Sequence, residues 1–237
     1  MNADRAIFRR SQRNGIWAVV PIKALGQAKQ RLSGRYSAEF RRRLVLAMAD
    51  DVLAALAAVK TLAGIIIVTR DAEAAALARR RGAHLLETEA DRGHTRAVMA
   101  AASILAAEGA EGMLVLPADV PLVTPDEIGE IVAARPPSPS FTIVPAHDGN
   151  GSNAILSMPP NAVPLAFGDN SFAEHCRRAR ERGIDPRIMI SPGLALDIDH
   201  PVDLDRFMAR GGDTATHGVV RAAMAGQYQD LTTRSAV

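Results

Sequence analysis

Three aspartates offer the plainest chemistry in this sequence. Asp119 ends the segment Leu114-Val115-Leu116-Pro117-Ala118-Asp119, an apolar run that passes into a loop. Asp197 and Asp199 follow the apolar Leu194-Ala195-Leu196 and precede His200-Pro201-Val202-Asp203-Leu204. In a strand these two would share a face, because side chains alternate with period two. Magnesium takes hard oxygen ligands, keeps several waters and is usually held by one or two carboxylates plus substrate phosphates. Asp119, Asp197 and Asp199 are therefore the candidate metal ligands. The competing readings are a turn aspartate at 119 and a helix N-cap at 199.

Cations and anion-binding loops complete the picture. Pro21-Ile22-Lys23-Ala24-Leu25-Gly26-Gln27-Ala28-Lys29-Gln30-Arg31-Leu32 carries Lys23, Lys29 and Arg31 on a loop after an apolar run. Such charges neutralise a triphosphate and the charge that develops during nucleotidyl transfer. The loop has neither the Walker pattern nor G-x-G-x-x-G, so it is neither a P-loop nor a dinucleotide fingerprint. Gly149-Asn150-Gly151-Ser152-Asn153 lies between two expected strands, where Ser152 can donate a hydrogen bond. Phe167-Gly168-Asp169-Asn170-Ser171 opens an expected helix, whose free N–H groups and dipole suit a phosphate. A hairpin turn and an ordinary capping box are the plain alternatives for these two loops. The six histidines show no metal-ligand spacing and read as surface or structural residues.

These residues need a scaffold, and the chain supplies an alternating one. Apolar, β-branched runs at 17–22, 65–69, 84–86, 113–116, 141–144, 154–157, 188–190 and 194–196 alternate with Ala/Leu/Arg segments. That is the signature of βαβ units and a largely parallel sheet buried on both faces. Ser37, Asp71, Thr95 and Ser171 are expected N-caps, and Thr124-Pro125-Asp126-Glu127 is a capping box with proline in the first turn. In open α/β sheets ligands bind beyond the carboxyl ends of the strands, which is where Asp119 and the lysine loop are expected. Residues 1–14 read as a basic arm, 15–210 as one domain, and 211–237 as a tail packing on the domain or on a partner subunit in a homodimer.

The chain has 237 residues, 48% of them hydrophobic, a net charge of +2 and one cysteine. Arginine clusters at 41–43, 79–81 and 177–178 fall on expected helices without interleaved aromatics, which argues against nucleic acid. The lone Cys176 excludes a disulfide framework and a cysteine-rich zinc site. The apolar stretch at 16–20 is cut short by Pro21 and Lys23, and no run approaches 18 residues, so neither a signal peptide nor a membrane span is expected. A cytoplasmic protein is.

The motifs Val20-Pro21-Ile22-Lys23 with Ala28-Lys29-Gln30-Arg31-Leu32, Ala118-Asp119-Val120-Pro121, Gly151-Ser152-Asn153-Ala154, Phe167-Gly168 with Ser171, and Asp197-Ile198-Asp199-His200-Pro201-Val202-Asp203-Leu204 occur in order and with compatible spacing. From about 16 to 209 the chain resembles the 2-phospho-L-lactate, phosphoenolpyruvate or 3-phosphoglycerate guanylyltransferases of coenzyme F-420 biosynthesis. The resemblance implies a Rossmann-like, GT-A-like nucleotidyltransferase: a three-layer α/β sandwich with a mostly parallel mixed sheet. It implies transfer of GMP from GTP to a three-carbon phosphoacid with release of pyrophosphate. Asp119, Asp197 and Asp199 would hold Mg2+, and Lys23, Lys29 and Arg31 would face the triphosphate. Ser152, Gly168 and Ser171 would hold the acceptor. Gly93-His94-Thr95-Arg96 departs from the family's usual asparagine, and Ser152 replaces a frequent threonine. A molybdenum-cofactor or sugar-phosphate nucleotidyltransferase is the nearest alternative, disfavoured by the poor match of Ala24-Leu25-Gly26-Gln27-Ala28-Lys29 to their glycine-rich signature. A non-catalytic nucleotide-binding module is a second.

Overall fold

The computed structural model describes residues 14–87 and 93–234; the expected arm lies, but for residue 14, outside them. Among the described residues the strands are β1 (Ile16–Pro21), β2 (Leu62–Val68), β3 (His84–Leu86), β4 (Gly112–Val115), β5 (Ser140–Pro145), β6 (Ser152–Met158) and β7 (Arg187–Ile188). The helices are α1 (Ala38–Ala58), α2 (Ala72–Arg80), α3 (His94–Ala107), α4 (Pro125–Ala133), α5 (Ser171–Glu181), α6 (Pro192–Ala195), α7 (Pro201–Ala209) and α8 (Ala215–Arg234). The strands form one seven-stranded sheet in the order β3-β2-β1-β4-β6-β5-β7. β1, β2, β3 and β4 run parallel, β6 is antiparallel to both β4 and β5, and β7 is parallel to β5.

Period-two alternation explains why the strands read as continuous apolar runs. Ile16, Ala18 and Val20 of β1 face one core with α1, α2, α4, α7 and α8. Trp17 and Val19 face the other, with α3 and α5. Gly64 of β2 exists for this packing: a Cβ there would come within 3.0 Å of the Trp17 ring. The expected three-layer α/β sandwich with a mostly parallel mixed sheet is thus the observed fold.

The order also fixes where a ligand belongs. From β1 the chain moves outward through β2 and β3, then returns to place β4 on the other side of β1. Connections therefore leave β1 and β4 in opposite directions, and a crevice opens past their carboxyl ends, which is the switch-point rule for open α/β sheets. The loops 22–32 and 116–121 border that crevice.

Three expectations about local structure are corrected. Residues 194–196 are not a strand, because Pro192 presets the first turn of α6 and the Glu127 carboxylate accepts from Ser191 Oγ and Gly193 N, both at 2.7 Å. Thr95 does not cap α3; the cap is Gly93, at φ 93°, and the Thr95 hydroxyl is drawn to Phe167. Ser171 does not cap α5; the cap is Asn170, left-handed at φ 57° and without a side-chain cap bond. The capping box at Thr124 and Glu127 is present as read. Residues 215–234, in the segment read as a tail, form α8 lying along α1, its first turn held by Asp51 through Ala215 N, Thr216 N and Thr216 Oγ1. Among the described residues no helix is long and apolar enough to cross a membrane.

Candidate functional site

The loop after β1 is pinned before it reaches the site. Asp71, the N-cap of α2, accepts from Glu73 N and Ala74 N and, with its other oxygen, from Leu25 N at 3.0 Å. Two tight turns at 25–27 and 30–32 then bracket Lys29, whose φ of 50° is left-handed. A bulky non-glycine residue there is uncommon and strained.

Lys29 Nζ stands 2.5 Å from Asp119 Oδ2 and 2.7 Å from Asp199 Oδ1, and Arg31 donates to Asp199 Oδ2 at 3.0 Å. The Lys29 side chain is 9% exposed. Burial opposes its charge, but attraction and hydrogen bonds from Asp119 and Asp199 outweigh burial and raise its pKa above the ordinary 10.5. Burial likewise pushes Asp199 up, and Lys29 and Arg31 more than reverse it, so its carboxyl titrates below its usual range. Asp197 goes the other way: burial first, then the charges of Asp119 and Asp199, hold it above its usual range despite the Asn153 hydrogen bond.

The segment carrying Asp197 and Asp199 is extended but belongs to no strand. Ile198 N donates to the Asp119 carbonyl at 3.0 Å, and Ile198 is fully buried. Its two aspartates thus point to the opposite side, as a strand would place them. Asp199 is not a helix cap; His200 occupies that position, and Asp203 accepts from Asp199 N and His200 N.

The crevice is an open cleft of ≈ 530 Å³ lined by, among others, Lys23, Lys29, Arg31, His94, Asp119 and Asp199. Five of the nine sequence-derived residues therefore meet around one space. Asp197 adjoins them through its charge interaction with Asp119. Ser152, Gly168 and Ser171 are not part of the cleft lining. Ser152 and Ser171 form a second group, with Ser171 Oγ 3.3 Å from Ser152 Oγ. Gly168, at φ 150°, lies on the loop that leads into α5.

Two contacts tie the groups together. Asn153, adjacent to Ser152 and on the opposite face of β6, donates to Asp197 Oδ1 at 3.1 Å and to the Leu194 carbonyl at 2.8 Å. Thr95 Oγ1 accepts from Phe167 N at 3.0 Å, fastening the start of α3 to the 167–171 loop. The departure at Gly93-His94-Thr95-Arg96 thus has a structural use.

Sequence reasoning missed Asn153, His94 and His175. Period two in β6 places Asn153 opposite Ser152, and the i, i+4 spacing places His175 on the face of Ser171; both signals were available. Of the six histidines read as surface or structural, two adjoin the candidate site residues. His94 lines the cleft, edge-on to Phe167 at 4.7 Å. Burial, with Lys23 next, lowers its pKa to about 4. His175 is fully buried and touches Ser152.

The donor set suits a hard divalent cation: three carboxylates, two of them bridged by a buried ammonium and the third held above its usual range by burial and then by the charges of Asp119 and Asp199. Among the described residues no three His, Cys, Asp or Glu side chains converge into a ready-made metal cage.

A mixed α/β sheet with a crevice at its switch point is the fold of the nucleotidyltransferases. The family described as guanylyl transferase CofC-like matches residues 16–226, and the chain belongs to it. It is 39% identical over 190 residues to a phosphoenolpyruvate guanylyltransferase of Sphaerobacter thermophilus, covering 80% of this chain and 91% of that protein. A phosphoenolpyruvate guanylyltransferase of Rubrobacter xylanophilus is 36% identical over 204 residues, covering 83% and 95%. A solved structure from Desulfovibrio desulfuricans G20, assigned as a nucleotide-diphospho-sugar transferase, superposes with a TM-score of 0.70 at 14% identity, covering 89% of this chain and 95% of that one. The protein is a guanylyltransferase-family enzyme.

Proposed function

We propose that this enzyme transfers GMP from GTP to phosphoenolpyruvate in the biosynthesis of coenzyme F-420. The observation that carries the reading is Lys29 held between Asp119 and Asp199 at the switch point, with Ser152, paired to Ser171, on the strand whose next residue, Asn153, donates to Asp197. An oxygen of the acceptor's phosphate attacks the α-phosphorus of GTP, the new P–O bond forms, and the bond to the β-phosphate breaks to release pyrophosphate. No protein nucleophile is needed, so catalysis is positioning and charge neutralisation.

In this reading Lys23, Lys29 and Arg31 bind the triphosphate and balance the charge that moves onto the leaving pyrophosphate. Asp119, Asp197 and Asp199 hold Mg2+, which when bound polarises phosphoryl oxygens. Ser152, Gly168 and Ser171 hold the acid's phosphate or carboxylate at the start of α5, where no side chain caps the helix, although Phe172 N is taken by the Asn150 carbonyl. The names of relatives at 33–39% identity support phosphoenolpyruvate over 2-phospholactate and 3-phosphoglycerate. The reading places the enzyme in the cytoplasm, with its nucleotide and acid substrates.

The test incubates the purified protein with magnesium, GTP and each of the three acids in turn, recording pyrophosphate. Release with phosphoenolpyruvate is expected to exceed release with the other two. No release with any acid would sink the transferase reading, and faster turnover with either of the others would overturn the acceptor.

A further inference from the structure

His175 sits in a place where both ring nitrogens are spoken for. Ala166 N lies 2.9 Å from Nε2, and Ser152 Oγ lies 3.0 Å from Nδ1. A backbone N–H only donates, so Nε2 must carry the lone pair. The ring is fully buried, and burial, with Arg178 next, lowers its pKa to about 4. At neutral pH it therefore has one proton, and that proton is on Nδ1, aimed at Ser152 Oγ. Phe167 packs edge-on against the ring at 5.1 Å and helps fix its plane.

The consequence runs through the two serines. His175, Ser152 and Ser171 together own three polar protons. One is used from Nδ1 to Ser152, and one lies between the two hydroxyls, 3.3 Å apart. One hydroxyl proton is left over, whichever serine donates to the other. The opposite tautomer would point a proton at the Ala166 N–H and let Ser152 spend its own proton on the ring.

We propose that His175 is a positioning residue which, latched by Ala166 N–H, sets the Ser152–Ser171 pair as a hydrogen-bond donor to an anionic oxygen of the acceptor acid. The inference deepens the function proposed above and rests on it for the ligand. A carboxylate or phosphate oxygen is what such a fixed donor recognises. A neutral hydroxyl in that place would have to turn its own proton away, so the device discriminates for charge.

Two near-isosteric variants separate the halves of the device. His175→Gln brings an acceptor to the position of Nε2 and keeps the Ala166 latch, but offers Ser152 no donor. His175→Asn brings an amide N–H to the position of Nδ1 and keeps the donor, but leaves Ala166 N–H unpaired. With the full-length enzyme, magnesium, GTP and phosphoenolpyruvate, the Gln variant is expected to raise KM for the acid roughly 10- to 100-fold, the worth of a hydrogen bond to a charged group. Its KM for GTP and its melting temperature stay near wild type. The Asn variant is expected to melt lower and to keep KM for the acid within a few-fold. The reverse pattern, or an unchanged KM for the acid in folded Gln variant, overturns the inference. A wild-type enzyme that releases no pyrophosphate with any acid defeats the function instead. Nitrogen-15 NMR of the ring decides the tautomer without any turnover: a protonated Nδ1 is expected at pH 7, and a protonated Nε2 or an imidazolium overturns the proposal.

Discussion

Replacing Lys29 with methionine removes the charge at the centre of the site while keeping side-chain length. Asp119 and Asp199 lose the ammonium that stands 2.5 and 2.7 Å away. Breaking a buried ion pair costs about 3–5 kcal/mol. The two carboxylates are 26% and 36% exposed, so water recovers part of that and about 2–3 kcal/mol remains. In a chain of this size 1 kcal/mol moves Tm by about 2–4 °C, so a fall of about 4–12 °C is expected at pH 7. The pH dependence follows from the directions of the shifts. The raised pKa of Lys29 makes its contribution complete below the ordinary 10.5 and lost as pH rises through the folded value. The lowered pKa of Asp199 makes its contribution complete above the ordinary 3.8 and lost as pH falls through the folded value. Wild type and variant thus differ by a constant margin between about pH 5 and 10 and converge in stronger acid. Methionine pays the same left-handed backbone cost as lysine; Lys29→Gly escapes that cost of about 1 kcal/mol but empties the volume of a 9% exposed side chain and frees the unfolded chain, so it should melt no higher than Lys29→Met. Calorimetry across pH measures the margin, and pyrophosphate release measures turnover, expected to fall about a thousandfold in both variants. A methionine variant that melts with wild type and turns over within tenfold of it refutes the argument that this ion pair organises the site.

Other perturbations separate function from fold. Asp119→Asn should fold with an unchanged circular dichroism spectrum and lose turnover by about three orders of magnitude, since a ligand and a charge go together; full activity would leave a mere turn aspartate. Asp197→Asn should raise Tm by a few degrees while abolishing turnover, because burial and the Asp119 and Asp199 charges disfavour the carboxylate that it removes. A lower Tm in that variant would show that the Asn153 bond outweighs the repulsion. Gly64→Ala should cost about 1–3 kcal/mol and alter the near-ultraviolet signal of Trp17, the only tryptophan, since the new methyl meets its ring; an unchanged signal and Tm would mean that β2 yields without strain.

What the sequence displayed was what local rules control. Continuous apolar runs announced strands buried on both faces, and Thr124-Pro125-Asp126-Glu127 announced the start of α4, because each depends on neighbours within a few positions. Thr95 and Ser171 were misread as caps for the complementary reason. A hydroxyl near a helix start is a good local cap, but Phe167 is 72 positions from Thr95 and Ser152 is 19 from Ser171. Those long-range partners took the hydroxyls, and Gly93 and left-handed Asn170 occupy the cap positions without a side-chain cap bond.

Asp197 and Asp199 show how a right placement can survive a wrong element. Strand alternation predicts that they share a face, yet no strand forms there. What enforces the alternation is Ile198, which buries its side chain in the α1-side core while its N–H binds the Asp119 carbonyl. One apolar residue between two aspartates is enough to keep both carboxylates out of the core, and the hydrogen bond to Asp119 sets Asp199 beside the crevice and Asp197 next to it. The spacing Asp-Ile-Asp after an apolar run therefore encodes site geometry through burial of its middle residue. Substituting Ile198 should then damage turnover and stability together, whereas Asp197→Asn should damage turnover alone.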